Sequence, residues 1–380
     1  MSASIAARNI AGVVLLGLGL AVGSTGAPAV AATTVHTGVA TQLGPCPTPT
    51  EAPGTEPIPF PLTSSVKPTD TSTSTVIVPD GPQMQCSTTA PTLYEDITYS
   101  SPTTGGVETD LKLDLQIPDT PGDKPLVIYI TGGGFITADK SANLGQRTYV
   151  ADQGYAVASI EYRTQLTGAT YEDGLADVKS AVRYLRAHAD EYGIDASQVA
   201  VWGQSAGGYL AAMAGATNGI KRFDIGENLN QSSSVQAVVD EFGASDLAGM
   251  ADDYDAATQT AYMAPGSFIN NYVFGPGSTR TVATDARANR AANPATYLRR
   301  GVSAPVVMLH GDQDQIVSPS QTLTYLNALK AKGVEGTRYV VQGANHGDMS
   351  FLGDPDAGLL WSTQKVMDVI TGFLDQKIGS

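Results

Sequence analysis

The sequence predicts an α/β fold with a mostly parallel central sheet and helices on both of its faces. Two observations carry this. Short apolar runs bounded by Gly, Pro or Asp recur at 126–130, 156–160, 199–202, 306–309 and 339–341. Continuous apolarity implies burial on both faces, the state of strands in a parallel sheet. Between the runs lie stripes with helical spacing, Leu175, Val178, Val182 and Leu185 in one and Val366, Val369, Ile370 and Phe373 in the last. Strands alternating with helices in this way make one doubly wound domain. At 42% hydrophobic residues the 380-residue chain can fill such a core, which excludes wholesale disorder.

The chain opens differently. Arg8 precedes an apolar run over 10–22, and small residues follow to Ala29-Val30-Ala31. A basic start, a short apolar core and an A-x-A close are the parts of a secretory signal peptide, expected over residues 1–31 with cleavage after Ala31. The run is shorter than the ~20 residues that span a bilayer. Gly17, Gly19 and Gly23 speak against a buried helix. No later segment reads as a membrane span, so an extracellular protein without stable membrane insertion is expected.

Residues 32–92 change character again. Half of the 22 prolines lie between Pro45 and Pro91, among many Thr and Ser. Such a stretch buries too little apolar surface to offset its ordering entropy, so much of it should be extended or mobile: a clipped, surface-wrapping leader is expected, a purely flexible linker being the alternative. Cys46 and Cys86, the two cysteines of the chain, both fall here. Export makes a disulfide their expected state, with an upper contribution of roughly 4 kcal/mol in the chain-entropy treatment. The formal net charge of −15 opposes phosphate backbones and anionic surfaces, and no nucleic-acid partner is expected.

The remaining residues, 93–380, form the expected α/β domain. It begins with Leu111, Leu113, Leu115 and Ile117 alternating with polar residues, a half-exposed strand. Its chemistry centres on Gly203-Gln204-Ser205-Ala206-Gly207-Gly208, directly after the apolar run ending at Trp202. G-x-S-x-G between a strand and a helix is a nucleophile elbow: the sharp turn presents the serine hydroxyl at the sheet edge with a helix N-terminus behind it. Ser205 is therefore the candidate nucleophile.

Four histidines could supply its base. His36 lies in the leader, His188 follows a helical stripe, and His310 closes a buried strand, where support of the loop is its expected task. His346, in Gly343-Ala344-Asn345-His346-Gly347 after a late strand, stands where a base reaches a serine on a central strand. For the acid, His310-Gly311-Asp312-Gln313-Asp314 offers two carboxylates. The turn at Gly311 should aim Asp314 at His346, leaving Asp312 to loop amides and Asp246 as a distant third. The order Ser205, Asp314, His346 is neither that of chymotrypsin nor that of subtilisin. Thr131-Gly132-Gly133-Gly134-Phe135 follows the run 126–130, and its glycines let backbone amides face a substrate. The expected oxyanion donors are the amides of Gly133, Gly134 and Ala206. No phosphate-cradling glycine motif is present there.

On these motifs, together with Glu161-Tyr162-Arg163 and Asn293-Pro294-Ala295, the stretch 126–373 resembles the esterase/lipase branch of the α/β-hydrolases. The nearest likeness is to hormone-sensitive-lipase-like and feruloyl-esterase-like carboxylesterases. The resemblance implies an α/β-hydrolase fold and ester hydrolysis through an acyl-serine, with no metal or cofactor. It also implies that 247–297, rich in Tyr, Met and Phe, is a lid or a pocket wall, a small satellite core being the equal alternative. The family's oxyanion loop usually begins with His; here the residue is Thr131.

Three functions remain open at this point. The first is a secreted serine carboxylesterase acting on small-molecule or polymer-borne esters. The second is a serine peptidase related to prolyl oligopeptidase, and the third a non-catalytic binding module on a hydrolase fold.

Overall fold

Among the residues described by the computed structural model, 46, 61–87, 91–347 and 356–379, nine strands form one sheet. In chain order the strands are β1 (Thr75–Ile77), β2 (Thr92–Ser100), β3 (Thr103–Thr104), β4 (Val107–Glu108), β5 (Leu111–Ile117), β6 (Lys124–Ile130), β7 (Ala156–Ile160), β8 (Ile194–Gln204), β9 (Ala237–Glu241), β10 (Val306–Gly311) and β11 (Gly336–Val341). The sheet order is β1-β11-β10-β9-β8-β6-β7-β5-β2, with β3 and β4 forming a separate hairpin. Pairing is parallel from β1 through to β7, and antiparallel between β7, β5 and β2. The predicted mostly parallel sheet is therefore present.

The apolar runs are buried on both faces because successive strand side chains point to opposite sides. Leu126, Ile128, Ile130, Val199 and Val201 join one core cluster, while Val127, Tyr129, Ala200 and Trp202 join the other. The first cluster takes in α2 (Tyr171–Ala187), α4 (Ala206–Ala216) and α8 (Ser320–Lys332); the second takes in α1 (Leu144–Asp152) and α9 (Gln364–Ile378). Helix α2 starts at a capping box between Thr170 and Asp173, and the one-turn α3 (Ala189–Tyr192) follows it. Its stripe Leu175, Val178, Val182 and Leu185 is fully buried. In α9 the buried stripe is Val366, Met367, Ile370 and Leu374, so Val369 and Phe373 stand at its margin. Three short helices, α5 (Ala256–Met263), α6 (Phe268–Phe274) and α7 (Ala286–Ala292), occupy the segment 247–297. Their aromatic residues Tyr262, Phe268 and Tyr272 belong to the first cluster. No helix of the described residues is long and apolar enough to cross a membrane.

Two expectations are corrected. The strand at 111–117 is not half-exposed: Asp114 and Gln116 are buried between Leu113 and its neighbours. Lys140 Nζ reaches Asp114 at 2.8 Å and Gln116 donates to Thr148 Oγ1 at 2.9 Å, so polar partners replace water there. The leader is also more than an appendage, and the boundary expected at 92/93 cuts into β2. Residues 61–87 supply β1, which extends the sheet beyond β11 with Thr75 opposite Tyr339 and Ile77 opposite Val341. The cause is buried Arg338: its Nη1 donates to Asp70 O at 3.0 Å and Ser74 Oγ at 2.9 Å, and its Nη2 to Thr69 Oγ1 at 3.0 Å. Elsewhere Lys67 N donates to Asp253 O and Met84 N to Ser362 O. Cys46 and Cys86 form the expected disulfide, with Cys46 buried in the second cluster. These residues belong to one unit, Thr37–Ser380. The expected signal peptide and His36 lie outside the described residues.

A chain beginning at Leu93 should consequently be much less stable. It loses an edge strand and three of the five partners of the buried Arg338 guanidinium, the latter alone costing on the order of 3–5 kcal/mol. At a few degrees per kcal/mol for a chain of this size, the melting temperature should fall by about 10 °C or more. A melting temperature within about 2 °C of the full chain would return the leader to the status of an appendage.

Candidate active site

Ser205 sits between β8 and α4 with φ 55° and ψ −118°. A side chain at positive φ costs on the order of 1–3 kcal/mol and persists only where its surroundings over-determine it. Close backbone approach does that here. A Cβ on Gly203 would strike the Gly207 carbonyl, and one on Gly207 the Ile130 carbonyl. Ser205 N also donates to Glu241 O at 2.9 Å. Its hydroxyl oxygen lies 2.7 Å from His346 Nε2, and His346 Nδ1 lies 2.8 Å from Asp314 Oδ2. An ionised carboxylate only accepts, so Nδ1 carries the proton and Nε2 is left to accept from Ser205. Phe242 packs edge-on against the imidazole, with centroids 4.7 Å apart, and against Trp361 beyond it.

The structure thus brings Ser205, Asp314 and His346 together. Asp314 is fully buried, and four donors surround it: Ile316 N and Val317 N on Oδ1, each at 2.9 Å, and His346 and His310 on Oδ2. Burial alone would raise this carboxyl. The His346 charge and the hydrogen bonds from both histidines outweigh burial and hold it well below the usual carboxylate range. Asp312 instead accepts from Gly343 N at 2.8 Å, the loop-amide task expected of it. Asp246 is tied to Asn289 and Asn293. His188 caps α2, partly exposed, beside Glu191. Asn345 joins the acid and base loops, since its Oδ1 accepts from Gln315 N and its Nδ2 donates to Gln315 Oε1.

The glycine loop lies against the elbow. A Cβ on Gly132 would come 3.1 Å from Gln204 O and 3.2 Å from Ser205 Cβ. Gly133, Gly134 and Phe135 follow at φ 136°, 61° and 62°, a run of left-handed backbone that turns the loop toward Ser205. Gly134 and Ala206 line a narrow recess together with Ser205. Ala206 opens α4, so its amide has no acceptor within the helix. Gly133 stands just behind, its carbonyl accepting from Ile136 N and Thr137 N. With Thr131 where the resemblance leads one to expect His, the support comes from Tyr162, whose hydroxyl donates to Thr131 O at 3.0 Å. Apolar walls come from Phe135, Ala244, Met250, Phe268, Ile316 and Val317. Segment 247–297 therefore contributes pocket wall through Met250 and Phe268, and core through its other aromatics. Among the described residues no group of three or more His, Cys, Asp or Glu could hold a metal ion.

Comparison with known proteins bears on the fold and the family. The BD-FAE family model matches residues 113–329, more than half of the chain. The chain belongs to the BD-FAE family. Esterase LipC of Mycobacterium tuberculosis is 27% identical over 234 residues, covering 61% of this chain and 54% of that protein. The probable isoprenylcysteine alpha-carbonyl methylesterase ICME of Oryza sativa is 29% identical over 251 residues, covering 65% and 57%. The chain thus spans a little over half the length of these relatives. Among solved structures, a truncated carbohydrate esterase from gut microbiota superposes with a TM-score of 0.64 at 23% identity, over 77% of this chain and 98% of that one. A bifunctional GH43-CE protein of Bacteroides eggerthii gives 0.62 at 27% identity, over 76% and 35%. The fold is that of the α/β-hydrolases.

The BD-FAE match begins at residue 113 and so excludes the leader and β1. It includes features that motif reading passed over. Ile316 and Val317 wall the recess because they follow Asp314 directly, a proximity the run Asp314-Gln315-Ile316-Val317 already displays. Behind the elbow, Asp240 and Glu241 close β9, fully buried. Glu241 Oε2 accepts from Trp202 Nε1 at 2.5 Å and Gln204 Nε2 at 3.0 Å, and Asp240 Oδ1 from Gly243 N at 2.9 Å. Burial pushes both carboxyls up to about 7, against these hydrogen bonds.

That shift has a sign for stability. A carboxyl raised in the folded state stabilises the fold below its unfolded value of roughly 4, and the contribution is lost as pH rises through the folded value. The melting temperature should therefore decline between about pH 4 and pH 7, the window from the unfolded to the folded value, and Glu241→Gln should flatten the decline. Thermal melts at constant ionic strength check this; a variant with the same slope as wild type would remove Glu241 from the account.

Proposed function

We propose that the protein is a secreted serine carboxylesterase acting on esters of short acyl groups, carried on small molecules or on polymers. The observation that carries the proposal is the chain of contacts from Ser205 Oγ to His346 at 2.7 Å and on to Asp314 at 2.8 Å, opening into an apolar recess. His346 Nε2 takes the hydroxyl proton as Ser205 Oγ bonds to the ester carbonyl carbon. The oxyanion faces the amides of Gly133, Gly134 and Ala206, and Asp314 stabilises the imidazolium. Collapse breaks the bond to the alkoxy oxygen, which leaves as the alcohol with the proton from His346. Water then repeats the sequence on the acyl-serine, releasing the acid and restoring Ser205.

The recess is narrow, with free room for about one water, which favours short acyl groups. The names of the relatives, an esterase and a methylesterase, support ester hydrolysis. Export is supported by the sequence pattern ending at Ala31 and by the Cys46–Cys86 disulfide. The test is a chain-length panel of nitrophenyl esters beside aminoacyl anilides. Turnover should be highest on acetyl and propionyl esters and should fall as the chain lengthens. Faster cleavage of anilides than of esters would replace the esterase by a peptidase, and no turnover of either would leave a binding module. Amino-terminal sequencing of the protein from culture medium should begin at Ala32.

A further inference from the structure

We infer that His310 is a positioning residue for Asp314, and that Thr322 and Arg338 hold it to that task. The inference rests on the esterase reading of Ser205, His346 and Asp314 and adds a second histidine to it.

His310 ends β10 at 0% exposure. Its Nε2 faces two acceptors, Val317 O at 3.0 Å and Asp314 Oδ2 at 3.1 Å, so Nε2 carries a proton. The oxygen it shares is the one that His346 Nδ1 meets. On its other side, Nδ1 lies 3.3 Å from Thr322 Oγ1. That hydroxyl oxygen accepts from Arg338 Nε at 2.8 Å, and its own proton has Nδ1 and, at 3.4 Å, Pro319 O within reach; with Nε2 protonated, Nδ1 is the acceptor that completes the imidazole. Arg338 in turn is held by Pro319 O and by the turn Thr69–Ser74. A continuous buried line thus runs from the segment before β1 through Arg338, Thr322, His310, Asp314 and His346 to Ser205.

A structural histidine would need only the Val317 carbonyl and the Thr322 hydroxyl. The contact with Asp314 Oδ2 does something further. A second donor on that oxygen draws off part of its negative charge and fixes the plane of the carboxylate, so His346 meets an acceptor of set direction and moderated strength. The charged and titratable groups around His310 are Asp314 and His346 on the two loops and Arg338 on β11. Asp253 and Asp70 face Arg338, and Tyr254 and Tyr262 lie against the Asp314 loop.

Removing the donor should leave Asp314 more negative toward His346, favour the imidazolium, and carry the acidic limb of the kcat/KM–pH profile upward. The full-length wild type, His310→Leu, His310→Gln and Thr322→Val are compared on nitrophenyl acetate, with active sites counted by a fluorophosphonate. Per titrated site, His310→Leu should lower kcat about tenfold with KM changed less than about twofold. Its acidic limb should rise by about half a unit. His310→Gln, whose amide nitrogen reaches the place of Nε2, should recover most of both. Thr322→Val should move the limb the same way by less. If His310→Leu does not accumulate folded, the Thr322→Val profile decides, and one that coincides with wild type overturns the inference. Loss of titratable sites with an unmoved limb in His310→Leu makes the residue merely structural and also overturns it. No hydrolysis by wild type would instead overturn the esterase reading beneath it.

Discussion

Ser205→Ala is expected to fold like wild type and to lose about five to six orders of magnitude in kcat on a short nitrophenyl ester, the scale of nucleophile removal in serine hydrolases. The backbone argument predicts the intact fold. Alanine at φ 55° is under the same strain as serine, and the approach of Gly203 to Gly207 that imposes it is untouched. The half-buried hydroxyl gives up one hydrogen bond, and His346 Nε2 turns to water. Only chemistry is lost, because the base then has no oxygen to activate at the carbonyl carbon. A fluorophosphonate should label Ser205 in wild type and nothing in the variant. Labelling at another serine, or turnover within about a hundredfold of wild type, would place the nucleophile elsewhere.

The second large effect separates two aspartates two residues apart. Asp314→Asn should cost about four orders of magnitude in kcat, and Asp312→Asn less than about tenfold. The geometry makes the first loss severe. Asp314 Oδ1 accepts from Ile316 N and Val317 N, so the carbonyl oxygen of an introduced asparagine must stay there. Its NH₂ then faces His346 Nδ1. Donor would meet donor unless the imidazole moved its proton to Nε2, and in that tautomer it cannot accept from Ser205. The same NH₂ opposes His310 Nε2. Asp312 holds only loop groups, Gly343 N and Gln313 Nε2, so its amide leaves the catalytic line intact. Reversed losses would assign the orienting role to Asp312.

The proposed nucleophile, base and acid are legible in the sequence because each follows an apolar strand, and a parallel sheet collects the ends of its strands along one edge. What sequence reading missed has physical reasons. Strand β1 is three residues, Thr75-Val76-Ile77, with only Ile77 buried, too short to display a period. Its place depends on Arg338, more than 250 residues later, which satisfies the backbone and hydroxyl groups of the turn before it. Strand β5 shows the alternation read from it, yet Asp114 and Gln116 are buried with partners from 140 and 148 that no local pattern announces. His310 supports the loop through Val317 O, as its place at a strand end predicts, but its reach to Asp314 Oδ2 depends on the loop curling back over the strand end. The support of the glycine loop by Tyr162 likewise arises across two strands.

The pairing of β1 with β11 also bears on how the chain reaches this state. Thr75 meets Tyr339 and Ile77 meets Val341, so the outermost hydrogen bonds of the sheet join segments from opposite ends of the polypeptide. Contacts so distant in sequence form late, because the loop they close is long and its entropy must be met first. A ribosome delivers β1 early and β11 among the last strands. Until β11 emerges, Thr75–Ile77 has no partner; until β1 docks, β11 offers an open edge to other chains. Maturation of the sheet is therefore expected to end at this seam, with aggregation competing against its closure.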